Sequence, residues 1–447
     1  MILQAIVLAA TSTIGFCTAE PVPTTPQSIA SSVSAERLKH DVETLADFGT
    51  RHVLSDTTSP TRGIGAARNW IKGEFEKSAA LSEGRMIVSF EEFDVPEGRR
   101  IPKGGAHLVN VVAVLRGSDE KAAARRVYIV GHYDSRNGGE MDATGDAPGA
   151  NDDASGTAAV LEAARVLAKE KLPCTIVFLA TAGEEQGLLG AKFHADQAAA
   201  RGEAIVAVLN NDIVGDPAVE TGGRVTDVRI FSEGVARNPS AEKLAAIRAV
   251  SAESDSPSRQ LARFVAETGV FYKLGLTARM VFRPDRFMRG GDHSAFNEAG
   301  FPAVRFTASS EVYERQHANV TEKDGKPYGD VASFVDAEYL AGVTKLNVAA
   351  MVRIALAPPT PVDVRIVTEK LGNETTLRWN GEHDPMTKSY ELVWRETTDA
   401  TWTYAKNVGL VSEITVPTSK DDHFFGVRAV AAGGYQSVVG FAWEGKK

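Results

Sequence analysis

Cysteine is nearly absent from this chain: Cys17 and Cys174 are the only two in 447 residues. Two thiols cannot build a disulfide framework, so a small stapled extracellular module is excluded. A basic excess is absent too. Lys and Arg number 49 against 58 Asp and Glu, a formal net charge of −9, which argues against a protein held on nucleic acid mainly by charge. After the first 20 residues no apolar run reads as a membrane span. There is no internal repeat. What is present is ordinary for globular chains, 43% hydrophobic and 24% charged, which excludes wholesale disorder and low-complexity scaffolds. At about 150 residues per domain the length predicts two or three domains.

Residues 2–16 (ILQAIVLAATSTIGF) are apolar or small and run into Cys17-Thr18-Ala19. This is the pattern of a secretory signal over residues 1–19, cleaved after Ala19, although the first four residues carry no Lys or Arg. Phe16 before Cys17 argues against a lipoprotein signal. The expectation is export to the periplasm or medium, with no stable membrane insertion after cleavage. Residues 20–34, rich in Pro, Ser and Thr, read as a linker.

From residue 35 the apolar spacing changes repeatedly. Residues 35–48 and 63–77 have helical spacing. LVNVVAVL (108–115), VYIVG (127–131), TIVFLATA (175–182) and residues 204–210 are short apolar runs, typical of strands buried on both faces. Helices fit residues 154–171 and 187–200 between them. Alternating strands and helices predict an α/β fold, with a mostly parallel central sheet covered on both faces. The stretch APPTP (357–361) marks a boundary. Beyond it the runs are short, alternating and punctuated by turns, which predicts a small all-β sandwich over residues 358–447.

Five stretches place acids or histidines where buried runs end: His132-Tyr133-Asp134, Asn151-Asp152-Asp153, Glu184-Glu185, Asn211-Asp212, and Asp292-His293 with His317 beyond. In an open α/β sheet ligands bind at the carboxyl ends of the strands. Carboxylates crowded there repel one another unless a cation neutralises them. Imidazole nitrogen with carboxylate oxygen suits zinc, and one carboxylate can bridge two ions about 3.5–4 Å apart. Any single stretch alone reads better as an ordinary helix cap or loop acid; five in this order do not.

GHYDSRNGG, PGANDDASGTAAVLEAARVL, TIVFLATAGEEQGLLGAKFHA, LNNDIVGD, GGDHSAFNEAGFPAVRFT and RQHANVTEKDG together resemble the successive motifs of the zinc aminopeptidase family. That family includes bacterial secreted leucyl aminopeptidases, aminopeptidase Y, glutamate carboxypeptidase II and the glutaminyl cyclases. The resemblance covers residues 35–353, and its specificity lies in the order and spacing of all the motifs. It implies a zinc exopeptidase fold over residues 35–357 and two zinc ions. His132 and Asp212 hold one, Glu185 and His317 the other, and Asp152 bridges both. Asp152 is preferred over Asp153 because the family's bridging acid lies three residues before the Ser of Ser155-Gly156; Asp153 is then a supporting or helix-capping residue. Glu184 is the implied general base, taking a proton from the attacking water and returning it to the leaving amine. Asp134 is expected to orient His132 through its other ring nitrogen.

Asp292, His293, Arg289 and Tyr313 are candidate substrate-binding residues. Asp292-His293 matches the family's Asp-His pair, but the family's zinc histidine comes from the later segment, here His317. Two departures stand out. Some relatives have Tyr immediately before that histidine, where this chain has Gln316. Some have Arg three residues before the motif histidine, where this chain has Gly290, with Arg289 one residue earlier. Cys174, after Pro173 at a strand start, reads as a buried small hydrophobe rather than a nucleophile. The remaining histidines, His52 among them, read as surface or helix polar residues, with Arg51-His52 capping a helix end.

Trp379, Tyr390, Leu392, Trp394 and VRAV (427–430) resemble a fibronectin type III domain over residues 359–443, with His423 where that fold usually has a corner Tyr. No chemical motif lies there, and a spacer or stability role is favoured.

The expected function is therefore an exported di-zinc metallo-aminopeptidase acting on peptides with a free N-terminus. A carboxypeptidase or dipeptidase of the same family stays open, since Arg283, Arg286 and Arg289 suit a carboxylate anchor. A glutaminyl cyclase fits less well, because those enzymes bind one zinc. From another class, a degenerate peptide-binding protein is disfavoured by the intact Glu184.

Overall fold

A computed structural model of the chain describes residues 25–217, 226–369, 372–380 and 383–444. The expected signal segment and the start of the expected linker lie outside the described residues.

The first unit contains, in chain order, α1 (Pro26–Ala30), α2 (Ala35–Asp47), α3 (Gly63–Ala79), β1 (Met86–Val95), β2 (Ala106–Leu115), β3 (Arg125–His132), α4 (Ser155–Leu167), β4 (Thr175–Thr181), α5 (Leu189–Ala200), β5 (Ala204–Asn211), β6 (Asp227–Phe231), α6 (Ala241–Ala249), α7 (Pro257–Phe271), β7 (Thr277–Val281), α8 (His293–Glu298), β8 (Ala303–Ala308), the hairpin β9 (Thr321–Lys323) and β10 (Lys326–Tyr328), and α9 (Ala337–Leu356). Eight strands form one sheet in the order β1-β2-β4-β3-β5-β8-β6-β7. The centre, β4-β3-β5-β8, is parallel. β1 and β2 form an antiparallel edge, and β6 runs against β8 but with β7.

The period of two in the central strands divides the core. Val127, Ile129, Ile176, Phe178, Ala207 and Leu209 face one side, under α2, α3, α4 and α9. Tyr128, Val130, Val177, Leu179 and Val208 face the other, under α5 and α8. Both faces are covered, which is why these strands are uninterrupted apolar runs in the sequence. β3 and α4 meet almost backbone to backbone. A Cβ on Gly131 would lie 2.6 Å from the carbonyl carbon of Gly156, so glycine is required where the sheet passes under the site.

Two sequence expectations change. Residues 26–34 are not a linker: Pro26 starts α1, Thr25 caps it, and Ile29, Ala30 and Val33 are buried. Their apolar side chains join the core against α9, so the peptidase unit begins before residue 35. α9 is itself long and apolar enough to cross a membrane by composition. Its residues are mostly buried within the protein, and a helix surrounded on all sides is apolar on all sides.

The second unit comprises β11 (Arg365–Ile366), β12 (Thr375–Arg378), β13 (Thr387–Glu396), β14 (Tyr404–Gly409), β15 (Glu413–Val416), β16 (His423–Ala431), β17 (Gly440–Phe441) and β18 (Trp443–Glu444). They form two four-stranded sheets, β15-β12-β11-β18 and β14-β13-β16-β17. Leu377 and Trp379 of one pack on Tyr390, Leu392, Phe425 and Val427 of the other. This is the expected sandwich. Buried charge fastens it to the first unit: Asp255 lies 2.9 Å from Arg263 and 2.8 Å from Arg395 of β13.

Candidate metal centre

The chain passes from β3 to β4 on one side and then to β5 on the other side of β3. The carboxyl ends of β3 and its neighbours therefore flank a topological switch point, where a crevice opens. His132 is the last residue of β3, Glu184 and Glu185 follow β4, Asp212 follows β5, and Asp152 comes from the turn before α4. His317 arrives from the loop after β8, in the left-handed region at φ 54°.

These side chains converge. His132 Nε2 lies 3.1 Å from Asp152 Oδ1 and 4.0 Å from Asp212 Oδ1. His317 Nε2 lies 3.0 Å from Asp152 Oδ2 and 2.8 Å from Glu185 Oε1. Asp152 thus gives one oxygen to each group. None of these contacts has hydrogen-bond geometry: Nε2 of both histidines and Oε1 of Glu185 are buried without a partner. An orphaned buried polar atom costs roughly 1–3 kcal/mol, and three of them aimed at one place are what a cation satisfies. His132, Asp152 and Asp212 form one group of ligand atoms within 4.8 Å of one another, and Asp152, Glu185 and His317 a second. The donors are imidazole nitrogen and carboxylate oxygen, the set that zinc takes. The residues fit the metal.

The electrostatics agree. Burial opposes a charge on either imidazole. Even so, the acids around His132, Asp153 foremost, raise it well above its ordinary value. Asp152 and Glu185 likewise bring His317 up to about 9 against its burial. Asp152 is buried, yet the two imidazoles hold it well below the usual carboxylate range. Imidazoles drawn towards protonation mark a surplus of negative charge that bound cations would neutralise.

Supporting groups fix the ligands. The buried Asp134 carboxylate accepts from three successive amides, Gly183 at 2.8 Å, Glu184 at 3.2 Å and Glu185 at 3.2 Å. Its main-chain oxygen, not its carboxylate, is the nearer partner of His132 Nδ1, at 3.1 Å against 3.6 Å. The expectation that the Asp134 side chain orients the imidazole is corrected accordingly: its main-chain oxygen makes the close contact, and its carboxylate is engaged chiefly by the turn amides. Asp153 accepts from Gly156 N at 2.8 Å and His132 N at 3.1 Å, tying α4 to β3. Glu184 lines the cavity above the ligands. Burial pushes its carboxyl well up, and the charges of Asp212, Glu185 and Asp292 add to that against the pull of His132. Among the described residues nothing hydrogen-bonds to that carboxylate. It belongs to neither group of candidate ligand atoms.

The cavity holds about 530 Å³, with Asp152, Glu184, Glu185, Asp212 and His317 along its floor. Arg289 reaches its wall. The other three candidate substrate residues do not. Asp292 is buried and accepts from the Thr181 hydroxyl, and burial pushes it up to about 7. His293 is wholly buried, with Nε2 2.7 Å from the Pro284 carbonyl. Tyr313 is exposed beside Arg289, outside the wall. Cys174 is buried, as expected.

Several functional neighbours are not evident from sequence. Asp330 accepts from Asn151 N and Asp152 N, both at 2.8 Å, and so sets the bridging turn. Arg51 is fully buried, with its guanidinium spread over the carbonyls of Leu45, Tyr133, Pro148 and Gly149. His52 is buried too, so the surface reading of this pair fails, while Arg51 does cap the end of α2 through the Leu45 carbonyl at 2.9 Å. Arg136 Nε donates to Glu185 Oε2 at 2.8 Å. Arg305 pairs with Asp212. Of these, Arg305 alone leaves a signal, a charge inside the buried strand AVRFTA.

Fold and donor set define a zinc metallopeptidase. The sequence matches the profile of Peptidase family M28 over residues 110–335. It is 43% identical over 421 residues to a probable zinc metalloprotease of Leptosphaeria maculans, covering 94% of this chain and 97% of that protein. A probable zinc metalloprotease of Pyrenophora tritici-repentis is 40% identical over 434 residues, covering 95% and 89%. The chain belongs to peptidase family M28. Among solved structures it is similar in fold to the LapA aminopeptidase of Legionella pneumophila, with TM-score 0.52, 20% identity and 74% of each chain covered. It is also similar to an aminopeptidase from Aneurinibacillus sp. strain AM-1, with TM-score 0.50, 16% identity, and 74% and 96% covered.

Proposed function

We propose that this zinc metallopeptidase is an exported di-zinc aminopeptidase that removes residues from the free N-terminus of peptides. The observation that carries the reading is Asp152, which offers one oxygen to each of two histidine–carboxylate pairs. His132 and Asp212 would hold one zinc and Glu185 and His317 the other. Bound there, zinc supplies Lewis acidity and lowers the pKa of water.

The chain's own residues do the rest. Glu184, raised by burial and unencumbered by hydrogen bonds, accepts the proton of the attacking water at its carboxylate and delivers it to the leaving nitrogen. Asp134 holds the backbone of Glu184 and Glu185 on one turn, so that base and ligand keep a fixed relation. The structural likeness to two aminopeptidases supports the reading at the level of fold. The apolar residues 2–16 support export, and the order β15-β12-β11 with β14-β13-β16-β17 supports a fibronectin type III-like sandwich. The arginines of the cavity wall favour a second reading, a dipeptidase or carboxypeptidase that holds a substrate carboxylate.

Zinc stoichiometry and hydrolysis of aminoacyl-p-nitroanilides, with N-acetylated controls, test this on one sample. Two zincs and cleavage only of free N-termini are expected. Glu184→Gln should lower kcat by at least about 100-fold, the lower bound for losing a general base, with zinc content unchanged. Loss of metal together with activity would refute Glu184 as base.

A further inference from the structure

We propose that the cavity selects substrates carrying a carboxylate close to the scissile bond, and that Arg289 receives it. The inference rests on the peptidase reading above and names its substrate class.

Four guanidiniums, those of Arg100, Arg136, Arg286 and Arg289, reach the cavity wall. Three have acidic partners. Arg100 lies 2.7 Å from Glu140, Arg136 2.8 Å from Glu185, and Arg286 2.8 Å from Glu311. Arg289 has none among the described residues; its ring neighbour is Tyr313, 5.9 Å from the guanidinium. Its amide bonds to the Arg286 carbonyl at 3.0 Å, so a turn of the loop between β7 and α8 presents both arginines together.

The acids of the same wall are all committed. Asp152, Glu185 and Asp212 are ligands and Glu184 is the base. Among the described residues no carboxylate of the wall is left to pair with a cationic substrate side chain. Two divalent ions would balance the four acids of the floor, and with Arg100 and Arg286 paired to Glu140 and Glu311 the charges of Arg136 and Arg289 would be left in excess. A cleft lined by one sign of charge concentrates the opposite sign, and a planar guanidinium matches a carboxylate with two parallel hydrogen bonds. The carboxylate can come from the side chain of an acidic residue or from the free C-terminus of a very short peptide.

The zinc-loaded protein should be assayed on paired substrates that differ only in that charge: aspartyl- against asparaginyl-p-nitroanilide, and alanyl-alanine against alanyl-alanine amide. A kcat/KM ratio of about tenfold or more for the charged member of at least one pair is expected, equivalent to one good charge-assisted contact. The pair that shows it identifies the source of the carboxylate. In Arg289→Ala the ratio should fall to near unity, with partial recovery in Arg289→Lys. Equal rates within both pairs would overturn the proposal and leave the peptidase reading standing. If no substrate is cleaved, the peptidase reading fails, and calorimetric binding then decides the proposal. Tighter binding of L-aspartate than L-asparagine, or of alanyl-alanine than its amide, abolished in Arg289→Ala, supports it; equal binding overturns it.

Discussion

Arg305 places Nη2 2.8 Å from Oδ1 of Asp212, and both residues are buried. Its Nη1 lies 3.0 Å from Asp285 and donates to the Gly290 carbonyl at 2.8 Å. One guanidinium inside β8 thus touches the carboxylate of a candidate metal ligand and the root of the loop that carries Arg286 and Arg289. Space is tight: a Cβ on Gly291 would lie 2.9 Å from that guanidinium and 3.2 Å from Asp212 Oδ2.

Arg305→Met leaves buried Asp212 without its guanidinium and leaves Asp285 with only the Arg286 guanidinium, 3.3 Å away. Removing one partner of a buried ion pair typically costs about 3–5 kcal/mol. We expect a loss of that size in urea unfolding, with Arg305→Lys recovering only part, because an ammonium cannot fork between Asp212 and Asp285. A loss below about 1 kcal/mol, the range of an exposed pair, would show that the pairing carries no structural weight.

Asp134→Asn tests the turn that carries the proposed base Glu184 and the proposed ligand Glu185. The amide keeps one acceptor and points a donor at backbone N–H groups, so at least one of the three bonds to Gly183, Glu184 and Glu185 is lost. A fall of about 10–100-fold in kcat is expected, the usual effect of disturbing a group that holds metal ligands, with the circular dichroism of the wild type. Activity within twofold of wild type would remove Asp134 from the machinery.

Three of the candidate metal ligands were legible from pattern because they follow apolar runs, VYIVG before His132, TIVFLATA before the Glu184-Glu185 turn and the run 204–210 before Asp212, and strand ends are where such sheets bind ligands. Asp152 and His317 lie in a turn and a loop and were picked out by the family resemblance. The groups that hold them were not. Asp330 meets Asn151 and Asp152 across about 180 positions, and Arg51 meets Gly149 across 98. Periodicity reports only local geometry, so it has no access to such pairs. β1 escaped notice for a related reason. It is an edge strand with a mostly half-buried or exposed pattern, and Glu91-Glu92 interrupts its alternation. α1 was hidden by composition: Pro, Ser and Thr usually mark linkers, but here Thr25 and Pro26 are the cap and first residue of a helix.

The sandwich is fastened to the peptidase unit by Asp255, buried between Arg263 and Arg395. Trp402 adds a bond from its indole N–H to Gln260 at 3.1 Å. Asp255→Ala leaves two buried guanidiniums without their counter-charge, so a loss of about 3–5 kcal/mol is expected. Calorimetry of the wild type should show one cooperative transition spanning both units. Two well-separated transitions in the wild type would mean that the buried charges do not couple the units.

Glu233, in the loop after β6, links stability to pH away from the metal ligands. Burial pushes its carboxyl up from 4.5 to about 7, against the pull of Arg237 and Lys243, with Glu298 adding to the rise. The folded state therefore keeps a proton that the unfolded chain releases near pH 4.5. Where the folded state binds more protons, stability falls as pH rises. The contribution of Glu233 should thus be fully present below about pH 4.5, decline through the interval, and level off above pH 7. Glu233→Gln removes the titration while keeping the shape. The side chain is only half-buried, so solvent damps the effect, and the sign is the informative part. Urea midpoints at pH 5 and pH 7.5, chosen to bracket that interval, should show the variant gaining on the wild type at the higher pH. An offset between the two proteins that does not change with pH would mean that Glu233 titrates at its ordinary value in the folded state.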